Sequence, residues 1–384
     1  MPGDHVIVAF DTLLLSRRYR HSGIHEYAKN MFCEFRKLLP AEGPVSIRHF
    51  VSRGRADDSF DWTSTPGCKA VDTSLLRFRR AWQLGAGNLA ASAAGADMIF
   101  APGPTLVPSP AIPATVTIHD AMPAKLPSSI IHKSAVSKTA AWLAAKWSRK
   151  VITDSESSKR DLVEIYRLPP EKVSVVYLGY DQETFNTNST DAARRRRLFN
   201  SVGIREPYIV HHGMVQHRKN VARLIQACRI VKGRNPTSDA QLVLAGAFGW
   251  GADEIRQEAQ RTWPGDQVVF TGPLSSDDLA TIIKGATLSV IPSLYEGFCL
   301  PLVESMACGV PTIASNSSCI PEISGGALQY FDAYSIEEMA ERIHHALSDT
   351  DLRRELRTRG LERASVFSWR RCAEETLRVL AKAA

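Results

Sequence analysis

Two carboxylates, Glu296 and Glu304, lie eight residues apart in the stretch Ile291-Pro-Ser-Leu-Tyr-Glu-Gly-Phe-Cys-Leu-Pro-Leu-Val-Glu-Ser-Met-Ala-Cys-Gly309. The apolar run Ala286–Ser293 reads as a buried parallel strand. Pro301 suits the opening of a helix, and Gly309 suits its left-handed end. Glu296 therefore falls on a loop leaving a strand, and Glu304 in the first turns of the next helix. Ligands of open α/β sheets bind where strands hand over to helices, at the carboxyl ends of the strands. One carboxylate on the loop and one on the helix can grip two parts of a single polyhydroxylated ligand. Arg218 and Lys219 stand just ahead of a helix expected to begin near Asn220. Two cations and a helix N-terminus form an anion site. The plainer alternatives are a capped loop and a surface helix residue for the glutamates, and an exposed basic helix start for the cations.

Positioning these groups falls to short apolar strands that alternate with helical patterns, which signals parallel α/β architecture. Strands are expected at 6–10, 46–51, 97–100, 114–118, 150–153 and 173–176, with helices Gly23–Leu39, Lys133–Ser148 and Ser157–Tyr166. A polar, basic stretch from Asp181 to Asn200 reads as a linker and a short helix, with Arg194–Arg197 as a solvated face. A second series begins with the strand Tyr208–His212 and the helix Val221–Lys232. Strands Leu242–Ala245, Val268–Phe270, Leu288–Pro292 and Pro311–Ala314 follow, between helices near 252–261, Asp277–Lys284 and 301–308. A terminal helix spans Trp369–Ala381. The 384 residues exceed one ordinary core, so two domains are expected, 1–185 and 186–367. These are two Rossmann-like halves facing a central cleft, with residues 368–384 packing back on the first half.

Composition bounds the function class. The chain is 44% hydrophobic and 23% charged, with no apolar run long enough for a membrane span and no signal-peptide pattern. Seven cysteines form no Cys-x-x-Cys pair, which fits reduced thiols in the cytoplasm. The net charge of +7 is concentrated early, with 19 Lys/Arg against 11 Asp/Glu over residues 1–150. That leaves phosphorylated substrates, anionic lipid or nucleic acid open, but no nucleic-acid motif accompanies the charge, which disfavours the last. No Asp-x-Asp motif stands out for a metal, and Asp277-Asp278 after Ser275-Ser276 reads as helix capping. The tandem pairs His211-His212 and His344-His345 lack metal co-ligands and read as structural.

The stretch Glu296–Glu304 resembles the Glu-x7-Glu signature of retaining glycosyltransferases. Further pieces in the same order are Ser22-Gly-Ile24, Thr117-Ile-His-Asp120, Thr153-Asp-Ser155, Gly179-Tyr-Asp181, Gly213 with Arg218-Lys-Asn220, Gly272 and Pro321-Glu322. Together they resemble glycosyltransferase family 4, whose members have the GT-B fold, over essentially the whole chain. The resemblance implies that Arg218, Lys219 and Gly23 meet the donor diphosphate, and that Glu304 accepts from the ribose hydroxyls. Glu296 and His119 would lie at the donor sugar and reacting centre, with Asp120 orienting local backbone or His119. Backbone N–H groups of Gly297, Phe298, Cys299 and Leu300 would hold the sugar and distal phosphate, and Gly272 and Leu274 the base. Cys299 departs from the family's usual glycine, and a side chain there could narrow the pocket or alter donor choice.

The resemblance further implies a hexosyltransferase that retains the anomeric configuration, needs no metal or other cofactor, and draws on a nucleoside diphosphate sugar. With no nucleophile evident for a double displacement, front-face attack is expected. The motif style is most like bacterial mannosyl- and rhamnosyltransferases of surface polysaccharide assembly, favouring GDP-mannose as donor and a saccharide or polyprenyl-diphosphate-linked acceptor. A UDP-sugar-dependent transferase or a catalytically silent GT-B binding protein are the alternatives. Leu75–Trp82, with Trp142, Lys146 and Trp147, could form a peripheral contact with anionic membrane at the inner face of the plasma membrane, or be an ordinary amphipathic helix.

Overall fold

The computed structural model describes residues 6–15, 23–39, 45–51, 68–72, 86–105, 109, 111–127, 130, 135–234, 240–263, 265 and 267–383. The first series supplies β1 (Val6–Phe10), β2 (Val45–Val51), β3 (Cys68–Asp72), β4 (Met98–Ala101), β5 (Ala114–Thr117), β6 (Lys150–Thr153) and β7 (Val173–Val175). They form one parallel sheet in the order β3-β2-β1-β4-β5-β6-β7. The second supplies β8 (Tyr208–His212), β9 (Gln241–Ala245), β10 (Val268–Gly272), β11 (Leu288–Ile291), β12 (Thr312–Ser315) and β13 (Gln329–Phe331), ordered β10-β9-β8-β11-β12-β13. Both orders are those of a doubly wound Rossmann sheet, in which the strand order reverses beside the first strand. In the second sheet that reversal lies between β8 and β11, paired Leu288↔Ile209 and Ser289↔Val210.

The central strands are largely apolar and buried because helices cover both faces. Every residue of β5, β8, β9, β11 and β12 is buried. In the second series one core packs Ile209, Leu242, Leu244, Leu288, Val290 and Ile313 under the helices Val221–Arg234 and Ile336–Ser348. Another packs Tyr208, Val210, Val243 and Val269 against Phe199 and Ile282. Helix starts follow local capping, as at Ser155, Ser275 and Ser335, whose side chains accept from the backbone N–H three residues on.

Two compact units emerge, Met1–Lys125 with Lys133–Gly179 and Trp369–Ala384, and Leu126–His132 with Tyr180–Ser368. Within the first, the terminal helix Trp369–Ala381 lies on the helix Gly23–Leu38, bringing Cys372 Sγ to 3.5 Å from Met31 Sδ. Among the described residues no helix is long and apolar enough to cross a membrane.

The structure adds elements that the sequence pattern did not signal, among them β3, β13 and the helix Gly87–Ala93. The helix after the two cations begins at Val221, as expected. Asn220 has φ 59° and ends a short 3-10 turn His217–Lys219. Of the four arginines, Arg196 and Arg197 are exposed, as a solvated face requires, while Arg194 and Arg195 have partners. Arg194 is 2.9 Å from Asp278, and Arg195 pairs with Glu206 and lies 5.1 Å from the centre of the Phe199 ring. Leu75–Trp82, Arg17, Arg18, Arg20, His21 and Ser22 lie outside the described residues.

Candidate active site

The carboxyl ends of β8 and β11 collect most of the residues singled out in the second unit. Leaving β8, the chain passes Gly213 and enters the turn that carries Arg218 and Lys219. Leaving β11, it runs through Pro292–Cys299 into the helix Leu300–Ala307. Asn220 ties the two together, because its Nδ2 donates to Pro292 O at 3.1 Å and to Ala333 O at 2.7 Å. Leu294 N donates to Arg218 O at 2.9 Å. The left-handed backbone of Asn220 is what turns its side chain toward both carbonyls.

This stitching brings Arg218, Lys219 and Glu296 into one buried cluster. Arg218 Nη1 is 2.6 Å from Glu296 Oε2 and donates to Tyr295 O, also at 2.6 Å. Lys219 Nζ is 2.6 Å from Glu296 Oε1. Burial alone would raise the Glu296 pKa, but the two cations reverse that and hold it down at about 2. The Glu296 N–H donates to Ser318 Oγ at 2.8 Å, fixing the loop from the other side. In this state a carboxylate occupies the two cations that would meet a diphosphate. Lys219 also borders Gly213, where an added Cβ would lie 3.8 Å from Nζ.

Glu304 belongs to the same edge but not to that cluster. Its Oε2 is 3.2 Å from Nε2 of His212, the buried last residue of β8. His212 thus has a side-chain partner that the sequence reading did not name. Its neighbour His211 is structural: Nδ1 bonds Val290 O at 3.0 Å, and burial pushes its pKa down to about 3. A signal for His212 was present, since the last residue of a buried strand at the switch point faces the helix after the neighbouring strand.

Cys299 sits at φ 71° and ψ 66°, a left-handed residue at the start of the helix Leu300–Ala307. Its thiol is buried, which pushes its pKa up to about 12. Gly297 and Phe298 are also buried, and the Phe298 ring packs edge-on against Phe367 at 5.3 Å. Gly213, Gly246 and Gly272 have φ of 113°, 150° and 70° at the ends of β8, β9 and β10. At Gly246 a Cβ would stand 2.2 Å from Gly213 O, so backbone passes against backbone there. Leu274 is partly buried against the Phe199–Tyr208 core.

In the first unit, His119 follows β5 and Asp154 follows the adjacent β6, with Thr117 paired to Ile152. That register sets His119 Nδ1 2.8 Å from Asp154 Oδ2, while Nε2 meets Pro102 O at 3.1 Å. Burial disfavours the imidazolium, but Asp154 more than compensates and the His119 pKa is raised. Tyr27 packs edge-on against the ring at 4.8 Å. Asp120 accepts from Met122 N at 3.1 Å and so orients local backbone, whereas Asp154, quoted only as part of a motif, orients His119. Gly23 opens the helix Gly23–Leu38 and has open space around its Cα. Among the described residues no group of three or more His, Cys, Asp or Glu could hold a metal ion.

Two Rossmann-like domains, the second with a cation pair and two carboxylates at its switch point, define the GT-B class of glycosyltransferases. The family described as "Glycosyl transferases group 1" matches residues 195–363, and "Glycosyltransferase Family 4" matches residues 51–184. The chain is thus similar to glycosyltransferases in both of its halves. The chain is 27% identical over 231 residues to the O-antigen chain mannosyltransferase B of Escherichia coli, a match covering 59% of each chain. The similarity thus spans about six-tenths of that relative's length. Two solved structures share the fold at 17% identity. Sucrose-phosphate synthase of Thermosynechococcus elongatus has a TM-score of 0.74, covering 98% of both chains. HepE of Anabaena, solved with UDP and glucose, has a TM-score of 0.73, covering 98% of this chain and all of that one.

Proposed function

We propose that the protein is a retaining hexosyltransferase that moves a sugar from a nucleoside diphosphate to a saccharide or lipid-linked acceptor. The observation that carries this reading is the Arg218–Lys219–Glu296 cluster at the switch point of the second sheet, with Glu304 on the helix beside it. Arg218 and Lys219 suit a diphosphate, and fixed cations of this kind do the work that a metal ion does elsewhere. On this reading the diphosphate draws the cations from Glu296, whose freed carboxylate then accepts from hydroxyls of the sugar. Glu304 takes the ribose hydroxyls. His119 contributes a ring N–H to a sugar hydroxyl once Nε2 leaves Pro102 O.

The bond from the anomeric carbon to the diphosphate oxygen breaks while the acceptor oxygen bonds to the same face. The acceptor proton passes to the departing phosphate oxygen. Catalysis is then orientation plus stabilisation of the leaving group. The E. coli relative's name supports mannose, and we favour GDP-mannose and a role in surface polysaccharide assembly; HepE's UDP keeps a UDP-sugar as the second reading. Incubation with GDP- and UDP-sugars, followed by NMR of the product, tests this. Retention at the anomeric carbon is expected, and inversion would sink the mechanism. We also propose contact with anionic membrane through Trp142 and Trp147, which are 42% and 60% exposed beside Lys146. Failure to float with anionic liposomes at low salt would refute that contact.

A further inference from the structure

We propose that His212 is a positioning residue that aims Glu304 at the ribose of the nucleotide. The proposal rests on the reading of Glu304 as the ribose-binding carboxylate. Three observations lead to it. His212 is 1% exposed and reaches Glu304 Oε2 through Nε2 at 3.2 Å. Its other ring nitrogen, Nδ1, is buried with no hydrogen-bond partner among the described residues. Glu304 itself keeps 17% of its side chain exposed, so one end of the carboxylate is held and part of it faces outward.

The unpartnered Nδ1 decides which proton the ring carries. An imidazole with its hydrogen on Nε2 donates to the carboxylate and leaves a bare lone pair at Nδ1. The doubly protonated ring would bury a charged N–H with no acceptor, which is far more costly. His212 therefore acts as a neutral donor. It fixes one oxygen of Glu304 without cancelling its charge, unlike the cations that hold Glu296. The carboxylate keeps its negative charge and the acceptor capacity of Oε1 for a pair of ribose hydroxyls. Placement also follows from the fold. His212 ends β8, and Glu304 lies one turn into the helix that follows the neighbouring β11. A donor on the strand side can thus set the side-chain rotamer of a residue on the helix side, which the helix alone leaves free.

The test is calorimetric binding of GDP and UDP, each beside its 2′-deoxy counterpart, to the full chain. The wild type, His212→Leu, His212→Gln and Glu304→Gln are compared. The wild type should prefer the ribonucleotide by about tenfold or more, the size expected of a hydrogen bond to a charged group. His212→Leu should lose most of that preference through weaker ribonucleotide binding, with deoxynucleotide binding little changed. His212→Gln, which keeps a donor at nearly the same reach, should restore it. Equal weakening toward both sugars, or an unchanged preference, would show a merely structural His212 and overturn the proposal. If His212→Leu fails to fold, His212→Asn, whose amide stops short of Glu304, takes its place: lost preference supports the proposal and retained preference overturns it. Failure of the underlying reading looks different: the wild type would show no ribose preference, or Glu304→Gln would keep it.

Discussion

Replacing Glu296 by glutamine should weaken the second unit by an amount that depends on pH. The side chains of Arg218, Lys219 and Glu296 are 16%, 7% and 6% exposed, so solvent and salt screen their interaction little. Glu296 falls from an ordinary 4.5 to about 2 in the fold. A shift of that size corresponds to about 3 kcal/mol of stability at neutral pH. The figure agrees with the roughly 3–5 kcal/mol seen when one partner of a buried ion pair is removed. The sign follows from the depressed pKa. The contribution is present above the unfolded value near 4.5 and is lost as pH falls through about 2, with roughly two-fifths gone by pH 3.5. Urea titrations read by pulse-labelled hydrogen exchange on peptides of β8 and β11 report this unit by itself. Wild type and Glu296→Gln should differ by about 3 kcal/mol at pH 7 and less at pH 3.5. A gap that stayed constant across that range would refute the assignment of the charge. The same variant should lose sugar transfer yet bind free nucleoside diphosphate at least as well, because the cations no longer have an internal partner.

Three further predictions concern backbone and charge. Gly246→Ala drives a Cβ into Gly213 O and should cost roughly 3 kcal/mol, lowering Tm by about 5–10 °C, whereas Gly272→Ala meets open space and should cost about 1 kcal/mol. At Cys299, a glycine relieves left-handed strain but gives up buried surface of similar worth, so Tm should move by about 3 °C or less; Cys299→Val, branched at a positive φ, should lower it clearly. Asp154→Asn removes the partner that raises the His119 pKa, so the His119 ring resonances in NMR should titrate at lower pH. Because that pKa is raised in the fold, its stabilisation is full below about 6.5 and fades as pH rises through the folded value. The stability gap between wild type and variant should therefore be wider at pH 6 than at pH 9.

Much of this protein could be read before any coordinates. Alternating apolar runs and helical periods located nearly every strand of both sheets, because a strand buried on two faces has to be apolar along its length. Capping residues and the Pro301–Gly309 pair placed helix ends, which are set by local backbone chemistry. The spacing of Glu296 and Glu304 put one on a loop and the other on a helix, and the order of short motifs pointed to the family. The misses have physical causes. The role of Asn220 was not foreseen, because propensity does not show that it would turn left-handed to bond two carbonyls from distant loops. β3 and β13 were not read as strands, because Cys68–Asp72 and Gln329–Phe331 carry polar residues in place of a plain apolar run.

What tertiary structure alone decided is which charges and donors meet. Glu296 lies 78 residues from Arg218 in sequence, yet holds both cations, and its partners were expected to be substrate rather than each other. His212 and Glu304, 92 residues apart, meet because β8 and β11 are neighbours at the point where the strand order reverses. Asp154 reaches His119 through the β5–β6 register. A sequence determines periodicity and local conformation, since those depend on residues a few positions apart. The electrostatic state of a site depends on separations of a few ångströms across strands, and those exist only after the chain has folded.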